Sequence, residues 1–323
     1  MMITVISPMY NEELIIEKSV KNMLKKLSEL KEEWEYIVVN DGSTDKSLEI
    51  VSKIAAEHQK LKIVSYEINR GRGYALRQGF KAAKGDIIIT TEADSSWGEN
   101  IVLEFLEHFK KNPTLDMIIA SPHLEGGGYR NVPLYRVLLS KWGNIILKWS
   151  VFGKLTMLSG MCRAYKRYVI DSLVLEQDKK EIHLEIISKA FALGYNIGEI
   201  PAVLEWQNLD LKKNEKRKSK FNAKKLILSH LLFSFNEAPI LLLGTTSLLF
   251  ILAGIAIGIF IFYQFLEKAL NPTRPLITLM VILLTVGVQI LVFCFLAYQN
   301  KKMQNELYKI QSSLKLLKDK FDL

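Results

Sequence analysis

Short apolar runs alternate with amphipathic stretches along the first third of the chain. The apolar runs are rich in Val and Ile, as strands are, and cover residues 3–7, 36–39, 61–66 and 86–91. The stretches between them carry apolar residues at helical spacing, over 14–27, from Ser43 or Thr44 to about 58, and from about 70 to 83. Strands that alternate with such helices predict an α/β fold with a parallel, doubly wound sheet.

Polar residues follow three of the predicted strands. Asn11 and Glu12 follow the first strand, Asp41 follows the second, and Glu92 and Asp94 follow the fourth. Ligands of open α/β sheets bind at the carboxyl ends of the strands, so these residues indicate a nucleotide site. Two carboxylates at such a place predict a site for a divalent cation, Mg²⁺ or Mn²⁺, that in turn holds a diphosphate.

Helix starts near these strand ends refine the predicted site. Ser43 or Thr44 is expected to cap the second helix, because a hydroxyl there can accept from an N–H of the first turn. Arg72 lies near the start of the third helix, where anions are favoured, and is expected to contact the diphosphate.

Two long uncharged segments follow in the last third of the chain. Residues 240–263 contain no charged side chain, and residues 276–298 contain only Gln289 as a strongly polar one. As a helix, each segment is about 35 Å long and can cross a bilayer core of about 30 Å. Pro272 and Pro275 lie in the short link, so we predict a two-helix transmembrane hairpin, with a pair of buried globular helices as the alternative.

Basic residues give the orientation of this hairpin. Residues 207–225 carry eight Lys or Arg against two acids, and Lys301, Lys302 and Lys309 follow the second segment. Lys and Arg are enriched on the cytoplasmic side of membrane proteins, which predicts a cytoplasmic catalytic domain and two cytoplasmic termini. The net charge of the chain is +9, and we expect no nucleic-acid partner.

Four motifs of the N-terminal part resemble those of a known family. They are Pro8-x-Tyr10-Asn11-Glu12, Asn40-Asp41-Gly42-Ser43-Thr44-Asp45, Asn69-x-Gly71 with Gly85-Asp86, and Glu92-Ala93-Asp94. As a set they resemble glycosyltransferase family 2, which implies the GT-A fold. Further motifs are similar to those of the polyprenol (dolichol) phosphate mannose and glucose synthases, namely Ser159-Gly160-Met161-Cys162-Arg163, His183-Leu184-Glu185, Glu199-Ile200-Pro201 and Ser219-Lys220.

The resemblance covers about residues 2–225 and implies roles for particular residues. The pocket for base and ribose would be lined by Pro8, Tyr10, Glu12 and Asp41. Asp94 would be a catalytic metal ligand, with Glu92 binding the cation directly or through water. The family motif usually begins with Asp, so Glu92 is one methylene longer than the usual residue.

The acceptor candidates come later in the chain. Arg136 and Ser140 are spaced i, i+4 and can point at one phosphate, with Arg130 nearby. A solvated basic face is the alternative. Where the group has Ser-Arg after the fifth strand, this chain has Ser121-Pro122-His123, so one phosphate-binding arginine is absent there. Arg163 is a further candidate.

Glu185 lies where related transferases that act on hydroxyls keep a base. A polyprenyl phosphate has a second pKa of about 6 and is largely dianionic at neutral pH, so it needs no strong base. Glu185 is therefore expected to orient groups in the site, and a purely structural acid is the alternative.

We predict four regions: a GT-A domain at 1–220, an interfacial amphipathic helix at 221–237, the two spans within 238–300, and a cytoplasmic amphipathic tail at 301–323. The interfacial segment could also be a helix packed on the catalytic domain. Apolar residues of the tail follow the a/d rhythm of a coiled coil, namely Leu307, Ile310, Leu314, Leu317 and Phe321. This rhythm favours a homo-oligomer, and a helix on the bilayer or on its own catalytic domain is the equal alternative.

These observations predict a metal-dependent, inverting glycosyltransferase bound to the membrane. It would move one sugar from a nucleotide sugar of the GDP-mannose or UDP-glucose type to a polyprenyl or dolichyl phosphate. One alternative is the same donor chemistry on a lipid-linked glycan or a glycerolipid, and another is a non-catalytic membrane assembly partner. A processive polysaccharide synthase is disfavoured, because the chain has no Gln-x-x-Arg-Trp motif.

Overall fold

The computed structural model describes residues 1–135, 137, 138, 140, 155–206, 240–267 and 275–321. These residues form two compact units. The first unit holds the described residues up to 206 and also 307–321, and the second holds 240–267 and 275–306. The predicted interfacial helix at 221–237 lies outside the described residues.

A seven-stranded sheet forms the centre of the first unit in the described part of the chain. Its strands are β1 (Met2–Met9), β2 (Glu33–Asp41), β3 (Leu61–Tyr66), β4 (Ile87–Thr90), β5 (Met117–Ser121), β7 (Arg163–Lys166) and β8 (Ile197–Pro201). The order is β3-β2-β1-β4-β7-β5-β8, and only β7 runs antiparallel to its neighbours among these strands. The predicted mostly parallel α/β sheet is confirmed.

Helices and a small second sheet surround this sheet. The helices are α1 (Ile16–Leu27), α2 (Ser47–Glu57), α3 (Arg72–Ala82), α4 (Ile101–Lys111), α5 (Arg167–Ser172) and α6 (Ile182–Ala192). The second sheet pairs β6 (Gly128–Arg130) in parallel with β9 (Val203–Glu205). Helix α1 shows why the helices form: its buried residues recur every three or four positions, at Ile16, Val20, Met23, Leu24 and Leu27.

Strand register brings the three polar strand ends to one edge of the sheet. Met9 at the end of β1 pairs with Asn40 of β2, and Ile6 of β1 pairs with Thr90 at the end of β4. All four residues of β4 are buried, as expected for a strand covered on both faces. The residues after β1, β2 and β4 therefore lie side by side.

The predicted cap of α2 is wrong. The helix begins at Ser47, whose N–H donates to Asp45 Oδ1 at 2.9 Å. Ser43 and Thr44 bind the preceding loop instead: Asn11 N–H donates to Ser43 Oγ at 3.1 Å, and Thr44 N–H donates to Asn11 Oδ1 at 2.8 Å. The hydroxyls therefore join the ends of β1 and β2 rather than the helix.

Two helices, of which the second continues from the second unit into residues 307–321 of the first, are long and apolar enough to cross a membrane. After a π-helical turn at Ile240–Gly244, α7 covers Thr245–Leu266, and α8 covers Pro275–Phe321. The two pack closely where each has a glycine: a Cβ on Gly254 would lie 2.8 Å from Leu284, and one on Gly287 would lie 2.7 Å from Ile251. Small residues are typical of such membrane-helix contacts.

The tail is not a separate helix, because α8 continues without a break to Phe321. Its last turns pack on the first unit through a polar face. Lys315 Nζ donates to Leu173 O at 2.8 Å, Tyr308 lies under Lys189, and Ser312 is buried. The residues of the predicted a/d seam are 50% to 62% exposed. The tail thus contacts its own catalytic unit, but not through its apolar face.

Candidate functional site

Glu92 and Asp94 lie just beyond the end of β4, and both side chains are half-buried. Asp94 Oδ1 accepts from the N–H of Ser96 at 3.1 Å and from its hydroxyl. Glu92 Oε2 is shut off from solvent and has no hydrogen-bond partner among the described residues. An unpartnered buried carboxylate oxygen is costly and calls for a proton or a cation.

The pKa of Glu92 is shifted in the direction expected for a buried carboxyl group. Burial raises its pKa to about 7, with the charge of Asp94 adding to the rise and the charge of Arg72 opposing it. Burial therefore outweighs the nearby guanidinium, so the protein alone supplies too little positive charge to keep Glu92 ionised at neutral pH.

The donor set fits a hard divalent cation. Carboxylate oxygens are the ligands that Mg²⁺ and Mn²⁺ prefer, and Mg²⁺ sites use one or two carboxylates together with substrate phosphates. Within the described ranges, no group of three His, Cys, Asp or Glu side chains could hold a metal ion. Glu92 and Asp94 would thus hold the cation with ligands from the substrate and water, and the cation would supply positive charge to a diphosphate.

Arg72 is the first residue of α3. Its guanidinium lowers the pKa of Glu92 and contributes to lowering that of His183, so it lies near both. A cation at a helix N-terminus, together with the N–H groups of the first turn, favours an anion. The expected contact of Arg72 with a diphosphate stays a prediction.

Asp41 is bound by the segment that leads into α3. Its side chain is buried, and its carboxylate accepts from Tyr66 Oη, Asn69 Nδ2 and the N–H groups of Arg70 and Gly71, at 2.8–3.2 Å. These donors occupy both oxygens. Asp41 thus holds the segment that leads into α3, and its expected place in the base and ribose pocket stays a prediction.

The other expected donor residues lie at the end of β1. Tyr10 is 46% exposed, and Pro8 and Glu12 are half-buried. Glu12 N–H donates to Ser47 Oγ at 2.8 Å, which joins this segment to the start of α2. The exposed ring of Tyr10 provides a flat surface at the edge where the strands end.

Arg163 requires a second correction. It is fully buried, and its guanidinium donates to Gly160 O, His183 O and Leu158 O at 2.7–2.8 Å. A side chain that gives its donors to three carbonyls and is shut off from solvent cannot contact an acceptor phosphate. Arg163 holds the segment before β7 against α6, so its role is structural.

Glu185 is also bound by the chain itself. Its carboxylate accepts from the N–H groups of Glu176 and Gln177 at 3.0–3.2 Å and from Lys189 Nζ at 2.8 Å. Glu185 and Lys189 are both buried. A carboxylate with these partners orients a loop, and the expected role of Glu185 in orienting groups of the site stays a prediction.

The acceptor candidates are only partly described. Arg130 is exposed at the end of β6, and Arg136 lies outside the described residues. Ser140 Oγ lies 3.1 Å from Tyr129 Oη, which lies 3.1 Å from His123 Nε2. His123 thus joins a polar chain that reaches Ser140, at the place where the expected arginine is absent.

His183 was not assigned a role from its sequence. It is buried, and neither ring nitrogen has a hydrogen-bond partner among the described residues. Burial lowers its pKa well below the usual value, and the charges of Arg163, Arg72 and Lys180 lower it further. The imidazole is therefore neutral at physiological pH. Its place in the His183-Leu184-Glu185 motif is the signal that could have drawn attention to it.

The fold and the site define a GT-A glycosyltransferase architecture: a mostly parallel sheet with a carboxylate pair and an arginine at the carboxyl edge. The model of glycosyl transferase family 2 matches residues 4–174, more than half of the chain. The chain belongs to glycosyl transferase family 2, as the motifs predicted.

Among relatives, the undecaprenyl-phosphate 4-deoxy-4-formamido-L-arabinose transferase of Pectobacterium carotovorum is 27% identical over 59% of this chain and 56% of that protein. The poly-beta-1,6-N-acetyl-D-glucosamine synthase of Staphylococcus aureus is 28% identical over 63% of this chain and 49% of that protein. The chain spans about half the length of the curated relatives it matches.

Among solved structures, the fold is similar to glucosyl-3-phosphoglycerate synthase of Mycobacterium tuberculosis. Its complex with Mn²⁺, UDP-glucose and phosphoglyceric acid gives a TM-score of 0.53 at 18% identity, over 72% of this chain and 79% of that one. At this identity the likeness supports the fold alone, and the predicted GT-A fold is confirmed.

Replacing Arg163 tests its structural role. Arg163→Met leaves three buried carbonyls without a donor, so we expect a loss of about 3 kcal/mol or more of stability. That corresponds to roughly 6–12 °C in the midpoint of thermal unfolding. Arg130→Met, on the surface, is the control and should leave the midpoint unchanged. Unchanged stability of Arg163→Met with lost acceptor use would restore a catalytic role.

The pKa of Glu92 predicts pH-dependent metal binding. Below pH 7 the carboxyl is protonated in the folded protein, so a bound cation must displace a proton. We expect Mn²⁺ affinity to fall by about tenfold for each pH unit below 7 and to level off above it. In Glu92→Gln, binding should be weaker and nearly flat with pH. Mn²⁺ titration of the wild-type chain at pH 5.5 to 8 measures this, and a flat wild-type profile would refute it.

Proposed function

We propose that this protein transfers one sugar from a nucleotide sugar, of the GDP-mannose or UDP-glucose type, to a polyprenyl or dolichyl phosphate with inversion at the anomeric carbon. The observation that carries the proposal is the buried, unpartnered oxygen of Glu92 beside Asp94 and Arg72. This arrangement suits a diphosphate leaving group, which needs positive charge as its bond to the sugar breaks.

The acceptor class is inferred from the membrane helices and a relative. Helices α7 and α8 are apolar enough to cross a bilayer, and their apolar side chains are mostly exposed. A relative that is named an undecaprenyl-phosphate transferase supports a lipid-borne phosphate. The positive charge at 207–225 supports a catalytic unit and both termini on the cytoplasmic face.

The bond changes need little from a protein base. An acceptor phosphate oxygen attacks the anomeric carbon from the side opposite the leaving group, and the bond from that carbon to the diphosphate oxygen breaks. The dianionic acceptor supplies its own electron pair. This agrees with Glu185, whose carboxylate is committed to two backbone N–H groups and Lys189.

Arg72 and the carboxylate pair act on the leaving group in this proposal. Arg72 and the first turn of α3 would bind the diphosphate as its charge develops. Arg130 and Ser140, together with Arg136, would bind the acceptor phosphate. Tyr10 would stack on the base, and Pro8 and Glu12 would line the same pocket.

Loss of Asp94 should abolish most transfer. The test uses full-length protein in nanodiscs with UDP-glucose, GDP-mannose and related donors, and with undecaprenyl or dolichyl phosphate as acceptor. We expect a chelator to stop transfer and Mn²⁺ or Mg²⁺ to restore it, and Asp94→Asn to lower the rate by about 100-fold or more. Mass spectrometry identifies the product, and NMR gives its anomeric configuration.

The control is Glu57→Gln, which removes one carboxylate from an exposed helix end and should retain full activity. Full transfer in excess chelator would refute the metal assignment. Transfer only to a lipid-linked glycan or a glycerolipid would refute the acceptor class. A folded protein that binds no nucleotide would favour the non-catalytic assembly partner.

We further propose that the exposed seam of the tail pairs with a second copy. Its residues recur at spacings of 3 and 4, and they face away from the residues that dock on the catalytic unit. About two heptads are marginal alone, but membrane anchoring raises the effective concentration of neighbours.

A charge within this seam should disrupt self-association. We expect Ile310→Glu to reduce the crosslinked dimer in membranes several-fold, because a carboxylate at a core position loses its hydration. Ser313→Glu, which adds the same charge at an exposed flanking position, is the control. If both variants form the same amount of crosslinked multimer, the seam is not part of the assembly contact. Loss of membrane affinity instead would favour a helix lying on the bilayer.

A further inference from the structure

The loop between α5 and α6, residues 173–181, lies directly on the first turn of α3. A Cβ added to Gly73 would lie 2.3 Å from Gln177 O, and one added to Gly71 would lie 2.6 Å from Asp178 O. The N–H of Tyr74 donates to Asp178 O at 3.0 Å. Glycines are needed here because the two backbones touch, so a movement of the loop would move the segment that carries Arg72.

A second contact of α3 holds the same loop. Arg77 Nη1 donates to Leu175 O at 3.1 Å, and its Nη2 contacts the carboxylate of Asp178. From the opposite side, Glu185 accepts from two N–H groups of the loop, and Lys189 Nζ donates to Val174 O at 2.6 Å. The α5–α6 loop is therefore built into the wall of the donor site.

The last turns of α8 hold the start of this loop. Lys315 Nζ donates to Leu173 O at 2.8 Å and to Ile170 O at 3.3 Å. These carbonyls lie at the C-terminal end of α5, where the last carbonyls of a helix lack intrahelical partners and a cation is favoured. Ile170 O also accepts from the N–H of Leu173 at 3.2 Å, so Lys315 is a second donor to this carbonyl and also binds Leu173 O just after the helix.

A second contact from the tail reaches the middle of the loop. The ring of Tyr308 lies 4.9 Å from Lys189 Nζ, in cation–π geometry. Lys189 in turn donates to Glu185 Oε1 at 2.8 Å, and Glu185 binds the loop backbone. Tyr308, Ser312 and Lys315 are spaced by 4 and 3 residues, so they form one stripe along the helix.

We propose that Lys315 and Tyr308 are positioning residues for the donor. By fixing the α5–α6 loop, they hold the first turn of α3 and Arg72 in place for a nucleoside diphosphate. The tail of the second apolar helix would thus belong to the donor site although it touches no substrate. This inference rests on the proposed function for its nucleotide readout, but not for its effect on the loop.

The test compares Lys315→Met with Lys318→Met in the full-length chain. Met keeps an apolar stem like that of Lys315 but has no hydrogen-bond donor. Lys318 is exposed on the same helix, so Lys318→Met is a control that removes the same charge without removing these donors. Hydrogen exchange should accelerate about tenfold at the amides of Tyr74, Glu176 and Gln177 in Lys315→Met only. The affinity for UDP or GDP with Mn²⁺ should fall by about tenfold.

The kinetic signature separates positioning from general damage. In Lys315→Met the KM for the donor should rise while the KM for the lipid phosphate stays within about twofold, because the loop is joined to the first turn of α3, the segment that carries Arg72. Lys315→Arg should restore donor affinity, because it keeps a cation at the α5 carbonyls. Tyr308→Leu removes the ring but leaves Lys315. It should also raise the KM for the donor and spare the KM for the lipid phosphate, but the increase should be smaller.

Three results would overturn the inference. One is equal loop exchange in Lys315→Met and Lys318→Met. Another is faster exchange with unchanged nucleotide affinity, which would make the tail purely structural. The third is an equal loss of affinity for the donor and for the acceptor, together with a lower midpoint of thermal unfolding. If the wild type binds neither nucleotide, the proposed function has failed, and the exchange comparison alone then decides whether the tail holds the loop.

Discussion

The site depends on one constraint at Glu92. A carboxylate oxygen of this residue is shut off from water and has no hydrogen-bond partner among the described residues. Removing an ion from water costs several kcal/mol unless opposite charge or hydrogen bonds replace the lost hydration. Arg72 offsets only part of this for Glu92, since the pKa still rises to about 7. The end of β4 therefore retains a buried carboxylate whose negative charge is only partly compensated, which is the basis for the proposed cation site.

Several charged side chains near the carboxyl edge of the sheet form hydrogen bonds with backbone groups. Asp41 accepts from the amides that lead into α3, Arg163 donates to three carbonyls, and Glu185 accepts from two amides of the α5–α6 loop. Loops at the carboxyl ends of strands carry many N–H and C=O groups that no ladder satisfies. Charged side chains satisfy several such groups at once, so they fix the loops on which the ligand-facing residues stand.

Local patterns in the sequence predicted most of the sheet and the position of the central residues. Alternating strand and helix periods are local properties, so β1 to β4 and the edge with Glu92, Asp94 and Arg72 could be inferred. The antiparallel β7 and the burial of Arg163 could not, because they depend on contacts between distant segments. Asp41 shows the same limit: its partners lie about 30 residues away, and its motif is equally compatible with a ligand.

The tail shows why an apolar stripe does not by itself identify a docking face. The 3 and 4 spacing correctly indicates one apolar side, yet the catalytic unit binds the opposite side through Tyr308, Ser312 and Lys315. The reason lies in the partner surface, since the end of α5 offers carbonyls that need a donor and not an apolar groove. In heptad terms the docked residues occupy b and f positions and the seam occupies a and d. Contact with the catalytic unit and contact with a neighbour therefore use different faces, and neither excludes the other.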